Sequence, residues 1–242
     1  MTPNRNGISI RAGRDAAILL FGVKSALRGN RWLWIVPLSI TIVVTIAQLF
    51  SPQKLSPVSQ VTTAEVMGSL LAGFFGANLL DAEFRLRAGE LVFAKPYPAL
   101  RLLVGRVCLA MAAVIFLVIF NSSLLAATGS LHFALPAVAA VIAPGLFLLS
   151  LACSIFVASS NVSLSYTGPA LFWMWSSIGE PVGLRFDRMY NPLIQISAWS
   201  GYLENPCPTT LETLVGNDIV LLAVSTALLA WTCRRLHQAV LS

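Results

Sequence analysis

Six apolar runs dominate this sequence, and their lengths constrain the fold more than any other feature. A helix needs about 20 mostly apolar residues to cross the hydrocarbon core of a lipid bilayer. Hydrophobic residues make up 57% of the 242-residue chain and charged residues only 11%, against roughly 25% in soluble domains. The sequence therefore predicts an all-α, polytopic membrane protein with six transmembrane helices. The predicted spans are residues 32–50, 61–80, 100–120, 135–158, 162–178 and 219–231.

The basic residues predict how these spans are oriented. Thirteen of the sixteen Lys and Arg residues fall before the first span, between span two and the body of span three, or after the last span. The other three, Lys54, Arg185 and Arg188, lie in connections on the opposite side. Because cytoplasmic loops carry an excess of Lys and Arg, both termini are predicted to be cytoplasmic. This excess accounts for the net charge of +6 without a nucleic-acid partner.

Residues 1–31 are predicted to form a cytoplasmic segment that precedes the membrane. Leu19, Val23 and Leu27 share one helical face, while Lys24 and Arg28 lie on another. This amphipathic pattern is typical of a helix at the membrane interface. The alternative is a simple extension of the first span. No apolar core with a small-residue cleavage site precedes that span, so it is expected to direct insertion itself.

Residue types that carry catalysis or bind metals are sparse. The four cysteines form no C-x-x-C pair, and the two histidines are predicted near opposite membrane faces. The H-E-x-x-H, G-x-S-x-G and Walker A motifs do not occur in the sequence. The sequence therefore predicts no enzyme activity, no cofactor or metal site, and no disulfide framework. Any ATP used by this protein must be bound by another chain.

The connection between spans two and three, residues 81–98, is strongly charged for so apolar a chain. Two antiparallel spans need only about 2–8 connecting residues. This connection is longer, and its spacing from Glu83 to Phe93 is helix-like. Pro96 and Pro98 end that pattern, because proline lacks an N–H donor and restricts the residue before it. A short helix that is joined to two spans can pass a push from a cytoplasmic partner into the membrane.

This connection resembles the cytoplasmic signature of type-2 ABC transporter permeases. In that pattern an acidic residue after the second span leads to a G-E-L element, then to a small residue and Lys before Pro, and then to Gly-Arg inside span three. Here Glu83 is the leading acid, GEL occupies 89–91, AKP occupies 94–96 and GR occupies 105–106. The order of an interfacial N-terminal helix, six spans, a long outer segment and a basic tail is also similar to that family.

The resemblance implies a permease subunit in the cytoplasmic membrane of a prokaryote, most simply an exporter. Such a subunit dimerises with itself or with a related chain and docks two cytoplasmic ATP-binding subunits. The six-helix domain would be residues 32–234, followed by a cytoplasmic tail at 235–242. The coupling helix that binds the partner would comprise Glu83, Arg85, Arg87, Gly89, Glu90, Leu91, Lys95 and Pro96.

The segment before the last span, residues 179–217, is too polar to cross the membrane and too apolar for a disordered loop. Pro192 suits the first turn of a helix, and Thr209 with Glu212 has the spacing of a capping box. Two short helices that dip into the outer leaflet are expected, and an ordinary ordered loop is the alternative. Trp199 suits an interfacial depth. Pro192, Trp199 and Pro144 of span four are therefore candidates for an outer cap or gate.

Two features inside the spans have alternative interpretations. Glu65, in span two, needs no function at an interface but would be a candidate for a transport pathway if it lay deeper. The bulky run at 172–175 in span five favours a lipid-facing surface over contact with a partner or an apolar substrate.

A second function class also stays open. The protein would then be a membrane scaffold or assembly factor whose basic loop binds a different soluble partner.

Overall fold

The computed structural model describes residues 32–50, 57–85, 99–127, 134–178, 199, 202–203 and 206–241. These residues form six long helices and no strand, which confirms the all-α prediction. The predicted interfacial helix within residues 1–31 lies outside them. The helices are α1 (Trp32–Leu49), α2 (Pro57–Arg85), α3 (Ala99–Ala127), α4 (Ala134–Ser159), α5 (Val162–Ile178) and α6 (Pro208–Leu241).

Three of these helices are long and apolar enough to cross a membrane. The candidate spans are Leu103–Leu125 in α3, Leu135–Ser159 in α4 and Pro208–Gln238 in α6. Helix α1 contains a shorter apolar stretch, Ile35–Gln48, and α5 has 17 residues. Helix α2 has 29 residues but includes several charged and polar side chains. The part of the chain that the structure describes is thus all-helical, with three candidate transmembrane helices.

Both ends of α6 differ from the boundaries that the sequence predicted. Helix α6 begins at Pro208, and the backbone N–H of Leu211 donates to the Cys207 carbonyl at 3.0 Å. Proline suits this first helical position because its missing N–H would have no intrahelical acceptor there. The expected short helix at Thr209 is therefore the first turn of α6. The helix then runs unbroken into the predicted tail as far as Leu241.

The connection between α4 and α5 consists of only two residues. Ser160 has a φ of 52°, a left-handed conformation that often ends helices. Asn161 then caps α5, because its Oδ1 accepts a hydrogen bond from the Ser163 backbone N–H at 2.9 Å. Helices α4 and α5 consequently form a tight antiparallel hairpin.

The helices alternate in direction along the chain. Helices α2 and α4 run parallel, since Gly68 lies against Val141 and Gly76 against Leu149. Helix α5 runs the other way, because the Trp173 Nε1–H donates to the Val66 carbonyl at 2.7 Å. Likewise α6 runs parallel to α4, since Ser154 and Thr232 lie 3.0 Å apart through their hydroxyl oxygens late in both helices. Gln48, near the end of α1, donates through its Nε2 to Thr63 Oγ1, near the beginning of α2, at 2.7 Å.

This alternation gives the bundle two ends that differ in charge. We call one the arginine end; it holds the beginnings of α1, α3 and α5 and the ends of α2, α4 and α6. All Lys and Arg residues of the described helices lie there, namely Arg85, Arg101, Arg106, Arg234 and Arg235. The opposite end holds Glu65, Glu212 and Asp218 among the described residues.

The core lies between α2 and α4, where small residues let two backbones approach. Ala64, Gly68, Ala72 and Gly76 recur every four residues along α2. A side-chain carbon at Gly76 would lie only 2.6 Å from the Leu149 carbonyl oxygen and 2.9 Å from the Leu149 Cα. Close backbone approach through small residues is the usual way in which membrane helices associate. The small residues of α2 therefore determine which helix it packs against.

Candidate functional site

The described part of the predicted coupling segment, residues 81–85, lies at the arginine end of the bundle. Helix α2 continues through Asp81, Glu83 and Arg85, so these residues extend that helix, and the connection to α3 is shorter than the expected 81–98. Helix α3 begins at Ala99. The other predicted partner-binding residues lie outside the described residues: Arg87, Gly89, Glu90, Leu91, Lys95 and Pro96.

At the opposite end, Glu65 is the centre of a second candidate site. Its side chain is only 1% exposed, although it belongs to a helix in an apolar bundle. The Trp199 backbone N–H donates to Glu65 Oε1 at 2.9 Å, so the carboxylate holds Trp199 against α2. A buried carboxylate that accepts a backbone N–H makes a strong, charge-assisted hydrogen bond when it is ionised.

Helix α6 adds two polar residues to this end. Asn217 is 1% exposed, and Asp218 is half-buried beside the Trp199 side chain. The geometry falls short of a Trp199–Asp218 hydrogen bond, because Trp199 Nε1 and Asp218 Oδ1 are both buried without a partner. Trp199 therefore touches two acidic side chains from two helices and makes a hydrogen bond with the Glu65 carboxylate. The role of Trp199 as an outer cap or gate stays a prediction.

Trp173 ties α5 to the same region of α2. Its indole nitrogen donates to the carbonyl of Val66, the residue next to Glu65. Phe172 packs on Phe147 of α4 with 5.0 Å between ring centroids. By contrast, Met174 and Trp175 are each 47% exposed. The bulky run in α5 is thus divided between a packed face and an outward face, and only the outward face agrees with the lipid-facing interpretation.

The other gate candidates differ in what the structure gives for them. Pro144 is buried inside α4, and the helix continues through it from Ala134 to Ser159. Pro192 lies outside the described residues. Sequence reasoning missed Asn217 and Asp218, because they fall where the predicted outer segment meets the predicted last span. Their only sequence signal was an Asn-Asp pair followed directly by an apolar run.

Cys207 lies just before α6, outside the candidate span. The hydroxyl of Thr209 and then that of Thr210 hydrogen-bond to its sulfur, with Sγ–Oγ1 distances of 3.0 and 3.4 Å. These bonds stabilise the thiolate and lower the pKa of the Cys207 thiol from 9.0 to about 7. Cys207, at the same end of the bundle as Glu65, therefore has a larger thiolate fraction near neutral pH than an ordinary cysteine.

Comparison with protein-family models, with curated proteins and with solved structures found no match to this chain. Within the described residues, no group of three or more His, Cys, Asp or Glu side chains is placed to hold a metal ion. The features that bear on function are consequently the two ends of the bundle and the helices that join them.

Proposed function

We propose that this protein is the membrane-spanning permease subunit of an ATP-driven type-2 ABC transporter, working as an exporter. In this proposal all six helices cross the cytoplasmic membrane of a prokaryote, and the arginine end and both termini face the cytoplasm. The positive charge of that end supports the orientation. Two cytoplasmic ATP-binding subunits dock at residues 83–96, and a second permease copy completes the assembly.

One observation carries the proposal: the charged segment is covalently continuous with α2, the helix that also holds Glu65. Helix α2 has 29 residues, which corresponds to about 43 Å at 1.5 Å per residue. It is packed against α4 through direct backbone contact at Gly76. A displacement at Glu83 would thus reach Glu65, and through Glu65 the backbone of Trp199, without passing through a flexible connection.

The substrate would leave near the opposite end, where Trp199 is held over α2. Movement of α2 relative to α6 would separate Glu65 from Asp218 and alter the seat of Trp199. This mechanism requires no catalytic group in the chain, since the energy comes from ATP hydrolysed by the partner subunit. It requires a stiff connection, and the long α2 supplies one.

The proposal is tested by purifying the protein from its native membrane with any bound ATPase and measuring ATP hydrolysis. Glu90→Ala and Pro96→Ala should reduce permease-stimulated hydrolysis by about tenfold or more, a loss of about 1.4 kcal/mol or more in coupling. Membrane insertion should be unchanged. The matched control is Glu212→Ala, which removes an exposed carboxylate from α6 at the opposite end. This variant should leave hydrolysis intact.

Unchanged stimulation in Glu90→Ala and Pro96→Ala would contradict the coupling role of the segment. Recovery of a soluble partner without ATPase activity, captured through residues 83–96, would favour the scaffold or assembly-factor function instead.

A further inference from the structure

A pocket with a mixed polar and apolar lining lies between α1, α2 and α3, in the half of the bundle toward the opposite end. It is a shallow site, open on one side, with enclosed room for little more than one small polar group. Thr41, Thr63 and Asn121 contribute polar groups, one from each helix. None of the described residues that line it is charged. The pocket is distinct from the Glu65–Trp199 contact, because neither Glu65 nor Trp199 lines it.

The strongest sign of a ligand is an unpaired hydrogen-bond acceptor in the lining. Asn121 Oδ1 is buried and has no hydrogen-bond partner. Most buried polar atoms in folded proteins are paired, and an unpaired one carries a desolvation penalty. Gln48, whose Nε2 donates to the lining residue Thr63 at 2.7 Å, likewise has a buried Oε1 without a partner. Two amide oxygens in or beside this pocket therefore lack donors.

Two nearby hydroxyl groups, those of Thr41 and Ser123, do not donate to Asn121 Oδ1. The Thr41 hydroxyl donates to the Pro37 carbonyl of its own helix at 2.8 Å, which uses its only proton. Ser123, one turn away from the lining on α3, donates to the Ile119 carbonyl at 2.8 Å. A molecule that enters the pocket with its own hydroxyl or amide N–H could supply the donor that these two hydroxyl groups do not.

The lining also limits what can enter. A charged group would find no described counter-charge there, and burying an unpaired charge is strongly unfavourable. Ile40, Met67 and Leu117 provide apolar walls. The pocket is open on one side, and neighbouring parts of α1 and α3 present exposed apolar residues such as Val43 and Phe116. The surroundings thus suit the apolar body of a molecule that also carries a polar, uncharged group.

We propose that this pocket binds a neutral amphipathic molecule whose hydroxyl or amide N–H donates to Asn121 Oδ1, while its apolar body packs on Ile40, Met67 and Leu117. A neutral membrane lipid and an amphipathic cargo share this chemistry. The inference does not depend on an ATP-binding partner, because the pocket lies within one copy of the chain. It therefore survives or fails separately from the permease function.

The experiment uses the full-length protein in phosphatidylcholine vesicles and a photoactivatable diacylglycerol. The matched probe is the methyl ether of the same diacylglycerol, which cannot donate a hydrogen bond. Crosslinks mapped by mass spectrometry should concentrate on Met67 and Leu117. Labelling at equal probe concentration should be about fivefold stronger for the alcohol than for the ether, the effect expected of one neutral hydrogen bond.

Two substitutions in α3 separate the pocket from general lipid contact. Asn121→Leu keeps a similar side-chain volume but removes the acceptor, and it should abolish the preference for the alcohol. Ser123→Leu alters an exposed position outside the lining and should preserve that preference. If Asn121→Leu fails to fold, the comparison of alcohol and ether on the unaltered protein still decides the question.

Two further results identify the source of the ligand, and both support binding. Competition by unlabelled diacylglycerol already in the vesicles would indicate a bilayer lipid. Competition by a short-chain, water-soluble diacylglycerol added outside the vesicles would indicate entry from the aqueous side. Equal labelling by alcohol and ether, or crosslinks spread over outward residues such as Phe116, would overturn the proposal. Water alone in the pocket would give that same uniform pattern.

Discussion

Helices α1 and α2 are neighbours in the sequence and opposites in packing. Helix α1 is strongly apolar, yet Ile35, Val43 and Ile46 are each about half exposed or more. Helix α2 contains glutamate, asparagine and serine, yet Glu65 and Ser69 are nearly inaccessible. In water the more apolar helix would occupy the core. In a membrane, lipid solvates apolar side chains, so small residues and hydrogen bonds determine which helix is central.

The same contrast separates the candidate spans. In α4, 72% of the most apolar window is buried, whereas the value for α3 is 33%. Helix α4 owes this position to its contact with the small-residue face of α2, at Val141, Leu148 and Leu149. Burial in this bundle therefore follows contact with α2, and four predictions test that statement.

The largest effect is expected from Gly76→Ala. The added methyl group would meet the Leu149 backbone at 2.6 Å, and a helix backbone cannot move aside as a flexible side chain can. We expect a loss of about 3 kcal/mol in the free energy of unfolding, at the upper end for overpacking. Denaturation of the purified protein in mild detergent, followed by circular dichroism, measures this change.

Gly216→Ala is the matched control, because a side-chain carbon at Gly216 meets nothing within 4 Å. Alanine is the better helix former, so this variant should be as stable as the parent or more stable by up to about 1 kcal/mol. Equal losses in both variants would mean that the α2–α4 backbone contact does not organise the bundle.

The next effect concerns Glu65. Glu65→Leu removes the acceptor of the Trp199 N–H and should lower the free energy of unfolding by about 1–3 kcal/mol, the penalty for an unpaired buried donor. Glu65→Gln keeps a carbonyl oxygen at the same place and should lower it less. The melting temperatures of both variants provide the measurement. A larger loss in Glu65→Gln than in Glu65→Leu would show that the hydrogen bond to Trp199 is not what holds this end.

Trp173→Phe should have a smaller effect. It keeps an aromatic ring but removes the indole N–H that donates to the Val66 carbonyl. We expect a loss of about 1 kcal/mol, since that is typical of one hydrogen bond. Met174→Leu, at an exposed position of the same helix, is the control and should melt with the parent. A similar shift in the two variants would remove the argument that α5 is attached to α2 through this bond.

The smallest effect should come from α1. Val43 is 64% exposed, and Val43→Ala deletes side-chain atoms that face outward. The expected change in the free energy of unfolding is below about 0.5 kcal/mol, as for surface substitutions generally. A loss comparable with that of Gly76→Ala would break the contrast between α1 and α2.

The sequence predicted where the helices lie better than it predicted how deeply each one is buried. The apolar runs at 100–120 and 135–158 became α3 and α4 with modest extensions, because run length directly reports helices of this kind. The run at 61–80 was one of the two weakest by apolarity, together with the last run, yet it became the centre of the bundle. Its signal was residue size, in the repeat of Ala64, Gly68, Ala72 and Gly76.

The candidate site at the opposite end was only half predictable. Trp199 was a candidate for an outer cap, and Glu65 was a pathway candidate on condition that it lay deep. Their contact joins residues 134 positions apart, and no local pattern encodes such a pairing. Asn217 and Asp218 were missed because a helix can begin well before its apolar run, as α6 does at Pro208.

The two-residue connection of Ser160 and Asn161 has a consequence for motion. With so little chain between them, α4 and α5 cannot separate at that end, so we expect them to tilt together as one unit. Ile155 fills the space beside Gly168 and fixes the angle between the two helices close to their connection. Any rearrangement that widens the bundle would then be greatest at the far tips of the pair, where Leu135 and Trp175 lie.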